Sequence, residues 1–211
     1  MNIKTILFDL DGVLVDACEW HYHALNIALE NNCNITISRK DHESTFNGIP
    51  TQKKLEILES MGLVREEQFK EIWNDKQAQT KKAIVHFSKI DDEKIYMHNQ
   101  LLKSGYNIAC VTNSIRETAE LMLEKTGQLD LMRFVITNED VVNPKPDSEC
   151  YEKAMKILNC KPENTLIIED SEKGYQAAIK SKAFVLKVNS CSEVNLENIL
   201  NKIKLIKDAR T

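Results

Sequence analysis

Glycine is scarce in this chain, and none of its six glycines falls in a phosphate-cradling pattern. Neither G-x-G-x-x-G nor the P-loop spacing occurs, so a dinucleotide or P-loop nucleotide site is unsupported. No apolar run approaches the roughly 20 residues needed to cross a bilayer. Met1-Asn2-Ile3-Lys4 leads into a strand pattern and not into a signal peptide, so the expectation is a cytoplasmic protein without a membrane partner. The six cysteines, Cys18, Cys33, Cys110, Cys150, Cys160 and Cys191, include no C-x-x-C pair. Neither a zinc site nor a disulfide framework is indicated, and most of them are expected to be reduced packing residues. With a net charge of -4 and no basic run, nucleic acid is not an expected partner. Internal repeats and low-complexity segments are absent too.

What is present is ordinary for a folded domain. The chain is 42% hydrophobic and 28% charged, and its 211 residues suffice for one large domain or a core with a modest insertion. Thr5-Ile6-Leu7-Phe8 reads as a buried strand that delivers Asp9 and Asp11 to its C-terminal end, ahead of Gly12. Two carboxylates so close repel one another unless a cation or a protonation difference separates them. Asp11-Gly12 is also a hairpin turn signal, and a plain surface acid pair fits as well. An EF-hand does not fit, because counting from Asp9 puts Leu14 at the glycine position and Trp20 at the glutamate position.

Beyond Asp16 the period changes to three and four. Trp20, Ala24, Ile27, Ala28 and Asn31 predict a helix from about Ala17 to Asn31. Two or more helices follow through Leu55, Leu58 and Met61 and through Phe69, Ile72, Trp73 and Ile84, with Phe46-Asn47-Gly48-Ile49-Pro50 as a loop. From about Asp91, helix and strand alternate, with strands at Ile108-Val111, Phe134-Ile136, Leu166-Ile168 and Ala183-Val188. The helices between them are predicted at Asp92 to Ser104, Arg116 to Thr126, Glu149 to Leu158, Glu172 to Lys180 and Leu196 to Ile206. Strict alternation predicts an α/β fold: a Rossmann-like parallel sheet covered on both faces, with a helical segment inserted after the first strand. The expected division is a core of residues 1–16 and 86–211 and a helical cap of residues 17–85.

Each core strand ends in groups suited to a phosphate or a metal. Thr112-Asn113-Ser114 follows the second strand at a helix N-terminus, which favours an anion, although Ser114-Ile115-Arg116-Glu117 also fits a capping box. Lys145 is fixed between Pro144 and Pro146; alone it would be a solvated surface charge. Glu169-Asp170-Ser171 follows the fourth strand, where acids also serve as helix caps.

Acid pair, hydroxyl, lysine and acid pair, in that order, resemble the four motifs of the haloacid dehalogenase superfamily. The nearer resemblance is to its branch of β-phosphoglucomutase-like enzymes and sugar-phosphate phosphatases. Asp9-Leu10-Asp11-Gly12-Val13-Leu14-Val15-Asp16 matches the first motif and Thr112-Asn113-Ser114 the second. Lys145-Pro146 matches the third, and Glu169-Asp170-Ser171 with Gly174 the fourth. The resemblance implies a Mg2+-dependent phosphatase in which Asp9 is the nucleophile and Asp11 the general acid and base. It implies metal ligation by Asp9, Asp11 through its carbonyl, Asp170 and Glu169, and phosphate contacts from Thr112, Asn113 and Lys145. It also places His21, Lys76 and the Gly48 loop of the cap at the site. A small phosphorylated metabolite, most of all a sugar phosphate, is the expected substrate, and the protein is expected as a monomer or weak homodimer. The mutases carry an arginine where Thr51 stands, which argues against a hexose-phosphate mutase, the first alternative. A non-catalytic binding protein is the second, and the intact acid set argues against it.

Overall fold

A computed structural model describes residues 2–209 of the chain. Its strands are β1 (Thr5–Phe8), β2 (Asn107–Val111), β3 (Val135–Ile136), β4 (Thr165–Glu169) and β5 (Phe184–Lys187). They form one parallel sheet in the order β3-β2-β1-β4-β5. The helices are α1 (Cys18–Cys33), the single turn α2 (Arg39–Asp41), α3 (Thr51–Ser60), α4 (Phe69–Phe87), α5 (Asp92–Lys103), α6 (Arg116–Lys125), α7 (Glu149–Ile157), α8 (Glu172–Lys180) and α9 (Leu196–Asp208). The predicted parallel sheet and inserted helical block are both observed. Among the described residues no helix is long and apolar enough to cross a membrane.

The strands read as continuous apolar runs because both faces of the sheet are covered. Ile6, Phe8, Ile108, Cys110, Leu166 and Ile168 face one layer, where they meet Met97 and Leu101 of α5, Met122 of α6 and Ile199 of α9. Leu7, Ala109, Val111 and Ile167 face the other, against Tyr151 and Ala154 of α7 and Ala177 and Ala178 of α8. The block α1–α4 buries its own cluster, including Leu25, Leu29, Phe46, Leu55, Leu58 and Ile72. Helix α4 runs to Phe87, past the boundary expected at residue 85, and a π-helical turn over His42–Phe46 takes up the start of the expected 46–50 loop.

Register decides what comes together. Phe8 lies level with Cys110 of β2 and with Ile168 of β4. Asp9 and Glu169 therefore emerge at one height on the same edge, with Thr112 one residue further along. The chain turns from the β2 side to the β4 side at β1, and such a switch point is where open α/β sheets bind ligands.

Candidate active site

Lys145 is the hub of the inner site. Only 3% exposed, its ammonium donates to Asp9 Oδ1 at 2.6 Å, Glu169 Oε1 at 2.5 Å and the Val111 carbonyl at 2.8 Å. All three protons are thereby used. Burial works against its charge, but Asp9 and Glu169 outweigh burial and hold the lysine protonated. The Pro-flanked segment meets the site because Asn113 grips it: Asn113 Oδ1 accepts from Lys145 N, and Asn113 Nδ2 donates to the Lys145 carbonyl, both at 3.1 Å. The same Nδ2 donates to the Gly48 carbonyl at 3.0 Å, so one amide ties the core to the cap loop.

Asp9, Glu169 and Asp170 offer oxygens within 4.8 Å of one another. Burial first, then the charge of Glu169, pushes the Asp9 carboxyl well up; the same causes raise Asp170 to about 7. Asp170 Oδ1 is buried without a hydrogen-bond partner. Three crowded carboxylates, an orphaned oxygen and hard oxygen donors fit a small divalent cation, which would reverse the upward push. Glu169 is fully buried and also accepts from the Tyr151 hydroxyl. Ser171 caps α8 through the Gly174 N-H at 3.1 Å, so the helix-capping role expected here falls to Ser171 and leaves Asp170 free.

Asp11 faces the other way. Its Oδ1 meets His21 Nε2 and its Oδ2 the Ser114 hydroxyl, each at 2.8 Å. Behind His21, Lys76 Nζ approaches His21 Nδ1 at 3.2 Å. An ammonium has no acceptor, so Nδ1 is the bare nitrogen and Nε2 carries the proton given to Asp11. Burial, then Lys76, keeps the imidazole pKa low. For Asp11, burial raises the pKa, but His21, Ser114 and Lys76 overcome it and bring it to about 2. Ser114 is therefore no capping residue. The N-cap of α6 is Ile115, which makes no side-chain cap, and Glu139 from a distant loop accepts the Arg116 N-H instead. The carboxylate of Asp11 outcompetes the helix for the Ser114 hydroxyl.

Thr112 is buried, and its Oγ1 accepts from Ser114 N at 3.0 Å. With Asp9, Asp11, Gly48, Asn113, Lys145 and Asp170 it lines an inner cavity of about 30 Å³. An outer cavity of about 100 Å³ adjoins it, sharing Asp11, Gly48 and Asn113 and walled by cap residues His21, Lys76 and Lys54. Ten sequence-predicted site residues thus converge: Asp9, Asp11, His21, Gly48, Lys76, Thr112, Asn113, Lys145, Glu169 and Asp170. Sequence reasoning missed Ser114 as a partner of Asp11, Tyr151 as a partner of Glu169, and Lys54. A signal for Lys54 existed: it sits in the stripe Thr51, Lys54, Leu55, Leu58, where helical spacing puts a lysine on a buried face.

The family description "haloacid dehalogenase-like hydrolase" matches residues 6–188. The pyrophosphatase PpaX of Anoxybacillus flavithermus is 32% identical over 180 residues, covering 81% of this chain and 76% of that protein. Among solved structures, a β-phosphoglucomutase from Clostridium difficile superposes with a TM-score of 0.83 at 24% identity, covering 96% of this chain and 98% of that one. A predicted phosphoglycolate phosphatase from Haemophilus somnus superposes with a TM-score of 0.80 at 18% identity, with the same coverage. The structures share the fold, and the sequence match over residues 6–188 sets the family: the chain is an enzyme of the haloacid dehalogenase-like hydrolases.

Proposed function

We propose that the protein is a Mg2+-dependent phosphatase of a small phosphorylated metabolite, with sugar phosphates the first class to test, acting through an aspartyl-phosphate on Asp9. The observation that carries this reading is the position of the Asp9 carboxylate, held 2.6 Å from the Lys145 ammonium at the switch point of the sheet. In this reading residues 1–16 and 86–211 are the catalytic core and residues 17–85 a cap that closes over it and excludes water.

Asp9 Oδ attacks phosphorus and the bond to the leaving alkoxide breaks; water then attacks the acyl phosphate and restores the carboxylate. Lys145 and the Thr112 side chain face the phosphoryl oxygens, whose charge grows in transfer. Asp11 gives its proton to the leaving oxygen and later takes one from water. At rest Asp11 is a carboxylate with both oxygens occupied, and the negative charge of an arriving phosphoryl group raises its pKa toward that task. His21 holds Asp11 in line, and Lys76 fixes the tautomer of His21. Asp9, Asp170 and Glu169, with the main-chain carbonyl of Asp11, would hold Mg2+. The ion supplies charge neutralisation at the phosphoryl group.

The Asp11–His21 contact also suits a hexose-phosphate mutase, the second reading, although Thr51 withholds the arginine fork of those enzymes. Phosphate release decides between them. The panel is sugar phosphates, small acid phosphates and, because the relative from A. flavithermus is a pyrophosphatase by name, inorganic pyrophosphate. The expected result is Mg2+-dependent release that Asp9→Asn abolishes. No release from any compound by the folded protein, with glucose phosphate isomers interconverted instead, overturns the phosphatase reading in favour of the mutase.

A further inference from the structure

The outer cavity contains a charge that no described residue answers. Lys54 is 5% exposed, yet among the described residues its ammonium makes no hydrogen bond and no ion pair. Its neighbour across the cavity is another buried ammonium, Lys76. The one carboxylate on this wall, Asp11, has both oxygens taken by His21 and Ser114. Burial, then Lys76, drives the Lys54 pKa down to about 7. Holding an ammonium in a cavity wall without a protein partner is unfavourable, and packing gives no reason to keep it, since a methionine would fill the space.

The two lysines arrive by design of the helices. Lys54 occupies the buried stripe of α3 with Thr51, Leu55 and Leu58. Lys76 occupies that of α4 with Ile72, Thr80 and Ile84. Each stripe continues apolar or uncharged on both sides of its lysine, so each charge is set into a wall, not left at a rim. The cavity between them, about 100 Å³, has room for about three waters at roughly 30 Å³ each, the scale of one carboxylate or phosphate group. It opens beside the inner cavity, sharing Asp11, Gly48 and Asn113 with it, so one molecule can reach both.

We infer that the substrate carries a second anionic group, a carboxylate or a second phosphate, which Lys54 and Lys76 receive while the reacting phosphoryl group lies at Asp9. This rests on the phosphatase reading for the location of the reacting group, and it makes Lys54 a specificity-determining residue. Its ammonium, held at the cavity wall without a protein partner, is paired only when an anion enters. A metabolite with a neutral tail leaves it unpaired and loses that interaction.

Calorimetric binding to the full chain carrying Asp9→Asn, in Mg2+, tests this without turnover. Two matched pairs serve as probes: glycerol 3-phosphate beside 3-phosphoglycerate, and glucose 1-phosphate beside glucose 1,6-bisphosphate. In at least one pair the member with the second anion is expected to bind about tenfold tighter or more, and that pair distinguishes carboxylate from phosphate. Adding Lys54→Met should bring the ratio close to one, and Lys54→Arg should restore it. Equal affinities within both pairs, no binding by any of the four, or a ratio that survives Lys54→Met overturns the inference. Failure of the underlying reading looks different: the wild type then releases phosphate from no compound, whereas the binding ratio still decides the role of Lys54.

Discussion

A Cβ added to Gly12 would stand 2.2 Å from Oδ2 of Asp170, so the turn after β1 and the acid after β4 fit together only because residue 12 has no side chain. Gly12 also has φ +83, a left-handed conformation that costs an L-residue roughly 1–2 kcal/mol. Gly12→Ala meets both obstacles, and the cheaper escape is to push Asp170 away from Asp9 and Glu169. The variant is expected to keep its fold, to lose most of the Mg2+-dependent rise in melting temperature, and to fall at least about a hundredfold in phosphate release, the scale of a misplaced catalytic group. Thermal melts with and without Mg2+ check it; a wild-type response to the ion would refute the arrangement.

Asp170 itself gives a prediction of opposite sign for stability. Its charge is crowded by Asp9 and Glu169 while the one lysine among them is already fully engaged. In metal-free buffer at pH 8, Asp170→Asn removes that repulsion and should melt at the same temperature as the wild type or higher. In excess Mg2+ the wild type should gain, because a ligand bound only to the folded state stabilises it by mass action, and the variant should not. If Asp170→Asn is less stable than the wild type without metal, crowding is not what the carboxylates experience.

Two core side chains, Asn113 and Lys173, hold the cap loop through three hydrogen bonds. Asn113 Nδ2 reaches the Gly48 carbonyl at 3.0 Å, and Lys173 Nζ reaches the carbonyls of Thr45 and Asn47 at 2.8 and 3.2 Å. Lys173 lies outside the inner site, so Lys173→Ala isolates the latch from the chemistry. Faster amide exchange over residues 46–50 and a KM raised a few-fold with little change in kcat are expected, since such loop contacts are worth about 1 kcal/mol each. Unchanged exchange there would mean that the loop is held by packing alone.

Residues at strand ends were legible in the sequence; of those brought in by helix packing, His21 and Lys76 were found only through the family resemblance, and Tyr151 and Lys54 were not found. Asp9, Thr112 and Asp170 directly follow β1, β2 and β4, Glu169 is the last residue of β4, and parallel register with Phe8 between Cys110 and Ile168 is enough to assemble them. Lys145 needed its prolines and a family resemblance, because its grip by Asn113 is a contact across 32 residues. Tyr151 is a core aromatic of α7, and only the approach of α7 to β4 turns its hydroxyl into a partner of Glu169. The Ser114 capping pattern was present but lost to Asp11, an acceptor 103 residues away that no local pattern encodes. Lys54 broke the apolar stripe of α3, and that local inconsistency was the signal for a functional position.

His98 sets a limit on acid stability away from the site. It is fully buried; its Nε2 donates to Gln128 Oε1 at 3.0 Å, its Nδ1 has no partner, and its ring stands edge-on to Phe8. Burial lowers its pKa from 6.5 to about 4. The folded state therefore resists a proton that the unfolded chain accepts, so the stability tied to the neutral ring is complete above pH 6.5 and is lost as pH falls toward 4. His42, lowered by burial to about 4, acts in the same direction. Urea midpoints measured from pH 8 to 4.5 should fall steeply below pH 6.5. His98→Met should start lower at pH 8, because Gln128 loses its donor at a cost of about 1–3 kcal/mol, yet decline less steeply with acid. Parallel curves for the two proteins would show that His98 takes its proton without opening the fold.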